Sequence, residues 1–269
     1  MKPGVAYDVH GSGSPTILLL PTWTIIHRRF WKLQVPYLAR HFRVVTYDGP
    51  GNGDSPRPLD PEAYAHDAQV AHALSVLDAT DTDRAVVVGL SRAANWALDL
   101  AANHADRVLG TALVGPSADL ATSTVRHPRW DDFGPAIWRT RYPDFLAWFF
   151  DLCLPEPHST KPIEDTVGWG LETTPDVLEA EEATPWPSRD EVVEWCGRIS
   201  SPVLLLHGDR DRVSPIARSE TIAELTGGHL VRMEGSGHLP LARDPVRVNL
   251  LLRDFVVQCA GARPATSVG

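Results

Sequence analysis

Short runs of apolar residues recur along the chain, and longer helix-compatible stretches separate them. Bounded by turn-forming residues, the runs predict buried strands at residues 17–20, 42–47, 85–88, 111–114, 203–206 and 230–233. The separating stretches predict helices at about residues 30–40, 62–79, 93–103, 215–225 and 246–260. Because the runs lack strict alternation, they suit parallel strands covered on both faces, and the order of elements predicts a mostly parallel, doubly wound α/β sheet. Residues 7–10, followed by Gly11-Ser12-Gly13, predict an antiparallel edge hairpin.

One stretch, residues 117–201, interrupts this alternation. It has no convincing strand pattern, and it holds six of the nine tryptophans of the chain. We expect a mostly helical insertion over the carboxyl end of the sheet, with residues 1–116 and 202–269 forming the core domain. Large aromatic rings either fill helix interfaces or line ligand pockets. Both interpretations remain open, and we predict that Trp130 and Trp138 contact substrate.

Composition narrows the classes of protein that fit. The chain has 269 residues, of which 43% are hydrophobic and 22% charged, which suits one large globular domain. A formal net charge of −9 disfavours nucleic acid as a partner. Three cysteines without metal-type spacing suggest neither a disulfide framework nor a zinc site. No apolar run is long enough for a membrane span, so we expect a cytoplasmic protein, monomeric or homodimeric, without metal or organic cofactor.

The strongest chemical motif is the segment Val88-Gly89-Leu90-Ser91-Arg92-Ala93. A buried strand enters a tight turn with small residues two positions before and after a serine, and a helix follows. This pattern is typical of a nucleophile elbow. The alternative is a serine that caps an ordinary helix.

Two later loops carry the partners that a nucleophilic serine requires. Asp211 and Asp209 follow a predicted strand, and either carboxylate could orient an imidazole; we favour Asp211 and assign Asp209 to the turn. His238 lies in a glycine-flanked loop after the last predicted strand. Serine, acid and histidine in this order, each after a different strand, predict a catalytic triad of Ser91, Asp211 and His238.

With these motifs in place, the chain resembles the α/β-hydrolase superfamily over nearly its whole length. The resemblance implies that residues 117–201 form a cap or lid. It also implies an oxyanion hole from one amide of the Pro21-Thr22-Trp23 loop, for which we favour Trp23, and from the amide of Arg92. The segment from Asp48 to Ser55 resembles a conserved turn of the family, with Pro50 where arginine is usual.

The side chain of Arg92 allows two interpretations. A guanidinium beside the nucleophile could hold a substrate carboxylate or phosphate, and Arg28 and Arg29 near Trp23 are consistent with an anionic ligand. The alternative, which we favour, is a salt bridge to an acid of the insertion, such as Asp131, Asp132 or Asp144.

These features predict a serine hydrolase that cleaves an ester or lactone of a small organic molecule through an acyl-enzyme on Ser91. Three alternatives use the same fold. They are a C–C bond hydrolase acting on dienoic acids, a cofactor-free dioxygenase and a non-catalytic receptor for small molecules.

Overall fold

The computed structural model describes residues 4–120 and 134–261. Seven strands form one sheet within this part of the chain. They are β1 (Tyr7–His10), β2 (Thr16–Leu19), β3 (Arg43–Tyr47), β4 (Ala85–Leu90), β5 (Val108–Val114), β6 (Val203–Gly208) and β7 (His229–Met233). Every strand predicted from the apolar runs is present, with shifts of a few residues at the ends.

The sheet has the order β1-β3-β2-β4-β5-β6-β7. All neighbouring pairs are parallel except β1 and β3, which run antiparallel. The predicted edge hairpin is therefore wrong in one respect: β1 lies at the edge and is antiparallel, but its partner is β3 and not the next strand. The chain leaves β2 for β3 on one side and returns to β4 on the other. In open α/β sheets, ligands bind at the carboxyl ends of strands beside such a reversal.

The helices of the sheet layers match the predicted stretches, and two of the predicted helices are divided. The α-helices are α1 (Val35–Leu38), α2 (His66–Ala79), α3 (Ala93–Asn103), α4 (Pro135–Cys153), α5 (Thr160–Gly170), α6 (Pro175–Glu182), α7 (Arg189–Arg198), α8 (Ala217–Thr226), α9 (Pro240–Arg243) and α10 (Pro245–Gly261). Short 3₁₀ segments, Arg28–Leu33 and Pro61–Tyr64, precede α1 and α2. Pro36 explains the first division, because proline lacks an amide proton and restricts the residue before it.

Both faces of the sheet are buried, as the apolar runs predict. Ile17 and Leu19 of β2 face a core shared with α4 and α10, whereas Leu18 faces a second core built with α2, α3 and α8. Successive side chains of a strand point to opposite faces, so a run of consecutive apolar residues serves both cores. These observations confirm the predicted fold class.

Helices α4 to α7 lie between β5 and β6 in the sequence. Helix α4 packs against α5 and α6, whereas α7 packs against α3 and α8 of the sheet layers. Val192, Trp195 and Cys196 of α7 accordingly belong to the second core. The extent of a cap within residues 117–201 stays a prediction.

Candidate active site

The turn between β4 and α3 holds Ser91 in an unusual backbone conformation. Its φ is +53°, in the left-handed region that non-glycine residues rarely adopt. Such strain is typical of functional sites. A side chain at Gly89 would place its Cβ 2.9 Å from the carbonyl oxygen of Ala93, so the turn closes only with glycine there. The turn therefore projects Ser91 from the end of a central strand at the start of a helix.

Ser91, His238 and Asp211 form one chain of hydrogen bonds, although they come from three separate loops. Ser91 Oγ lies 2.9 Å from His238 Nε2, and His238 Nδ1 lies 2.7 Å from Asp211 Oδ2. The side chains of His238 and Asp211 are only 2% and 1% exposed. The geometry is that of a hydroxyl beside a base that a buried carboxylate orients.

The Asp211 carboxylate is fully supplied with donors. Its Oδ1 accepts hydrogen bonds from the backbone amides of Val213 and Ser214, each at 2.8 Å. Burial alone would raise the pKa of Asp211, but the charge of His238 and the hydrogen bonds from His207 and His238 outweigh it and hold the pKa well below its usual range. Asp211 is therefore ionised and can stabilise a protonated His238.

Asp209 occupies a different position. It is exposed, and its Oδ1 accepts a hydrogen bond from the backbone amide of Gly235 at 2.8 Å. This contact joins the loops that follow β6 and β7. The structure thus brings Asp211, and not Asp209, to His238.

His207, which the sequence analysis did not single out, lies behind Asp211 and is completely buried. Its Nε2 is 2.9 Å from the carbonyl oxygen of Ser214 and 3.2 Å from Asp211 Oδ2. Since a carbonyl only accepts, Nε2 carries the proton, and Nδ1 accepts from the Ser219 hydroxyl at 2.7 Å. The one available signal was its place at the end of a strand, four positions before Asp211.

A second hydroxyl also lies beside Ser91. Ser117 Oγ is 2.9 Å from Ser91 Oγ. If Ser91 donates to His238, Ser117 donates to Ser91. Gly115 brings this loop close, because a Cβ there would lie 3.1 Å from His238 Nδ1. The sequence placed Ser117 only at the start of the insertion, so its proximity to Ser91 was not foreseen.

The backbone amides of Trp23 and Arg92 are available to a ligand. Neither donates a hydrogen bond to any acceptor in residues 4–120 and 134–261. The Arg92 amide belongs to the residue that caps α3, where the helix dipole favours negative charge. Both residues line one cavity with Ser91. The arrangement is compatible with the expected oxyanion hole.

The Arg92 side chain is occupied by carboxylates of the insertion. Its Nη1 lies 2.9 Å from Glu181 Oε1, and its Nη2 pairs with Glu182. Its guanidinium also lies over the ring of Trp186, 4.4 Å from the ring centroid. The favoured salt bridge to the insertion is therefore present, but the acids differ from those named above. Asp144 pairs with Arg141 instead, and Asp131 and Asp132 lie outside the described residues.

This pairing argues against the interpretation of Arg92 as an anion-binding group, because its charge is already matched by two carboxylates. Burial raises the pKa of Glu181 even though Arg92 opposes the shift, as expected for a carboxyl group deep in the protein. Arg28 and Arg29 are occupied too: Arg28 pairs with Asp8, Asp48 and Asp54, and Arg29 pairs with Glu172.

A cavity of about 480 Å³ opens above Ser91. This is within the range for small-molecule sites. Aromatic residues of its wall are Trp23, Trp138, Phe149 and Trp186. Of the five insertion tryptophans within the described residues, two line the cavity: Trp186 and the predicted Trp138. Trp130, the other predicted contact, lies outside the described residues.

Comparison with known proteins places this chain in a family. A family model described as alpha/beta hydrolase fold matches residues 15–152. The pimeloyl-(acyl-carrier protein) methyl ester esterase of Neisseria meningitidis serogroup A is 30% identical over 261 residues, which cover 93% of this chain and 76% of that protein. The 2-hydroxymuconate semialdehyde hydrolase of Pseudomonas sp. strain CF600 is 26% identical over 257 residues, 94% of this chain and 87% of that protein.

A solved structure shows the same architecture. The enol-lactonase of Burkholderia xenovorans LB400 superposes with a TM-score of 0.79 at 22% identity, covering 94% of this chain and 96% of that one. The chain belongs to the α/β hydrolase fold family, and it is an α/β-fold hydrolase. The resemblance inferred from the motifs is thereby confirmed.

Among the described helices, we find none with the length and apolar character needed to span a membrane.

Proposed function

We propose that this protein is a serine hydrolase that cleaves an ester or lactone bond of a small organic molecule through an acyl-enzyme on Ser91. The observation that carries the proposal is the hydrogen-bonded chain from Ser91 through His238 to the buried Asp211. The strained backbone of Ser91 and the cavity above it add support. Among relatives, the similarity to a methyl ester esterase favours ester substrates.

In the first half of the reaction, Ser91 Oγ attacks the carbonyl carbon while His238 Nε2 takes the hydroxyl proton. Asp211 holds the imidazole in the required tautomer and stabilises its charged form. The negative charge that develops on the carbonyl oxygen is received by the amides of Trp23 and Arg92, and losing one such donor typically costs about 2.7–4 kcal/mol of transition-state stabilisation. His238 then gives its proton to the leaving alkoxide as the carbon–oxygen bond breaks.

In the second half, water replaces the alcohol. His238 takes a proton from water as the hydroxide attacks the acyl carbon, and it returns that proton to Ser91 Oγ when the acid leaves. Esters and lactones are favoured over amides because an alkoxide leaves more easily than an amine. This mechanism requires neither metal nor organic cofactor. A cytoplasmic location and a monomeric or homodimeric state without nucleic acid partner remain predictions.

Fluorophosphonate labelling tests the proposal directly. Intact-mass spectrometry should show one adduct on the wild type, located on Ser91, and none on Ser91→Ala. Ser117→Ala is the matched control, because it removes the neighbouring hydroxyl and should still carry the adduct on Ser91. A panel of esters and lactones then measures turnover. A stable adduct on another residue, or undiminished ester hydrolysis by Ser91→Ala, would contradict the proposal.

A second candidate is hydrolysis of a carbon–carbon bond in a dienoic acid. The similarity to a 2-hydroxymuconate semialdehyde hydrolase over most of both chains favours it, since muconate derivatives are dienoic acids. Spectroscopic loss of a conjugated dienoic substrate, without turnover of simple esters, would select this candidate over the ester hydrolase.

A further inference from the structure

The two arginines that line the cavity above Ser91 differ in whether a carboxylate neutralises their charge. Arg92 is paired with Glu181 and Glu182. Arg218 of α8 also lines the cavity, but no carboxylate of the described residues lies within ion-pair distance of it. Arg218 is half-buried. The cavity therefore contains one cation whose charge the described protein leaves unmatched.

The contacts of Arg218 use only part of its donor capacity. Nη1 donates to the backbone carbonyl oxygen of Ser117 at 3.2 Å. Nε is buried and has no acceptor in residues 4–120 and 134–261. A guanidinium offers five N–H groups in a planar fork that matches a carboxylate. Nη2 donates to no acceptor in these residues and is not among the buried unpaired atoms, so this end of the guanidinium can reach a ligand in the cavity.

The position of Arg218 is unfavourable without such a ligand. It is the second residue of α8, and a cation at the start of a helix faces the positive end of the helix dipole. Burial lowers the pKa of Arg218, while the charges of Asp119 and Asp211 partly oppose the shift. Asp119 also lines the cavity but is exposed, so solvent screens its charge.

We propose that Arg218 binds a carboxylate of the substrate, so that the preferred substrates are esters or lactones that carry a second, anionic carboxylate group. This inference rests on the proposed function, because it assigns a substrate class to the same cavity. It also moves the anion-binding role from Arg92, which is neutralised, to Arg218 of α8.

The kinetic test compares ester substrates of the same shape that carry either a free carboxylate or a carboxamide. Monomethyl esters of succinic, glutaric, adipic and pimelic acid are assayed beside the counterparts in which a carboxamide replaces the free carboxylate. The wild type should favour the best acid by about tenfold or more in kcat/KM, mainly through KM. Arg218→Gln should abolish this preference, and Arg218→Lys, which keeps a point charge without the fork, should restore part of it.

The ratio of kcat/KM for the acid to kcat/KM for the carboxamide distinguishes carboxylate binding by Arg218 from a merely structural role of this residue. If Arg218 only holds the Ser117 carbonyl beside the nucleophile, Arg218→Gln lowers turnover of both forms equally and the ratio persists. Arg212→Gln is the matched control: it removes the same charge from the neighbouring loop, where Arg212 is exposed and lines a different cavity. The ratio should be unchanged in this variant.

A binding measurement tests the inference without requiring turnover. Titration calorimetry with Ser91→Ala measures the affinity for each monomethyl ester and its carboxamide counterpart. Tighter binding of the acid, lost on adding Arg218→Gln or weakened by Arg218→Lys, supports the carboxylate site even if fluorophosphonate labelling fails. Equal binding of acid and amide throughout the series, or a preference that survives in Arg218→Gln, overturns the inference while leaving the serine hydrolase proposal intact.

Discussion

Replacing Asp211 by asparagine tests the most specific feature of the candidate site. The two carboxylate oxygens of Asp211 face donors only: Oδ1 accepts from the amides of Val213 and Ser214, and Oδ2 accepts from His238 Nδ1. An asparagine would keep its oxygen toward the two backbone amides, since its NH₂ group cannot accept from them. The NH₂ group then faces His238.

This orientation forces the wrong tautomer on His238. Its Nδ1 must accept a hydrogen bond from the new amide, so the single proton of the neutral imidazole lies on Nε2, which then cannot take a proton from Ser91. The loss of base function and of the buried negative charge together predict a fall in kcat of about 10⁴-fold. This corresponds to about 5.5 kcal/mol of transition-state stabilisation.

The assay is hydrolysis of 4-nitrophenyl butyrate, together with the rate constant of fluorophosphonate labelling. Both should fall in Asp211→Asn, and circular dichroism should show an unchanged fold. Asp209→Asn is the matched control, because an asparagine oxygen can still accept from Gly235 and the residue is exposed. If Asp209→Asn loses as much activity as Asp211→Asn, or if Asp211→Asn retains activity within tenfold of the wild type, the assigned role of Asp211 is wrong.

Three further predictions concern the surroundings of the triad. Glu181→Gln should lower the free energy of unfolding in urea by about 3 kcal/mol, because it leaves Arg92, whose side chain is only 13% exposed, with one carboxylate. Glu179→Gln, which breaks an exposed pair of the same helix, should cost under about 1 kcal/mol. Trp186→Ala should change the preference among acyl chain lengths by about tenfold in kcat/KM while fluorophosphonate labelling persists, and an unchanged preference would exclude this ring from substrate selection. Burial and the nearby Arg29 lower the pKa of His27 to about 4. The unfolded chain therefore binds a proton from pH 6.5 downward while the folded protein does not, and stability falls with decreasing pH until about pH 4. His27→Gln should reduce this loss by up to about 3 kcal/mol in urea unfolding at pH 7 and pH 4, and identical pH dependence of both proteins would refute the assignment.

Much of the architecture could be predicted from local sequence. Apolar runs bounded by turn residues identified the strands, because a strand buried on both faces needs consecutive apolar side chains. The turn at Ser91 could also be recognised from the sequence, because its geometry excludes a side chain at Gly89. The order of Ser91, Asp211 and His238 along the chain indicated which groups would meet, because the carboxyl ends of parallel strands share one edge of the sheet.

What the sequence could not decide depends on which distant residues come together. Arg92 and Glu182 are 90 positions apart, and nothing local distinguishes Glu182 from the other acids of the insertion. The pairing of β1 with β3, the carboxylate contact of His207 and the unmatched charge of Arg218 are likewise products of packing. The apolar pattern determined the sheet and the position of its chemistry. Only the tertiary structure decided which charges are neutralised and which remain open to a ligand, because charge pairing depends on distances in space and not on spacing along the chain.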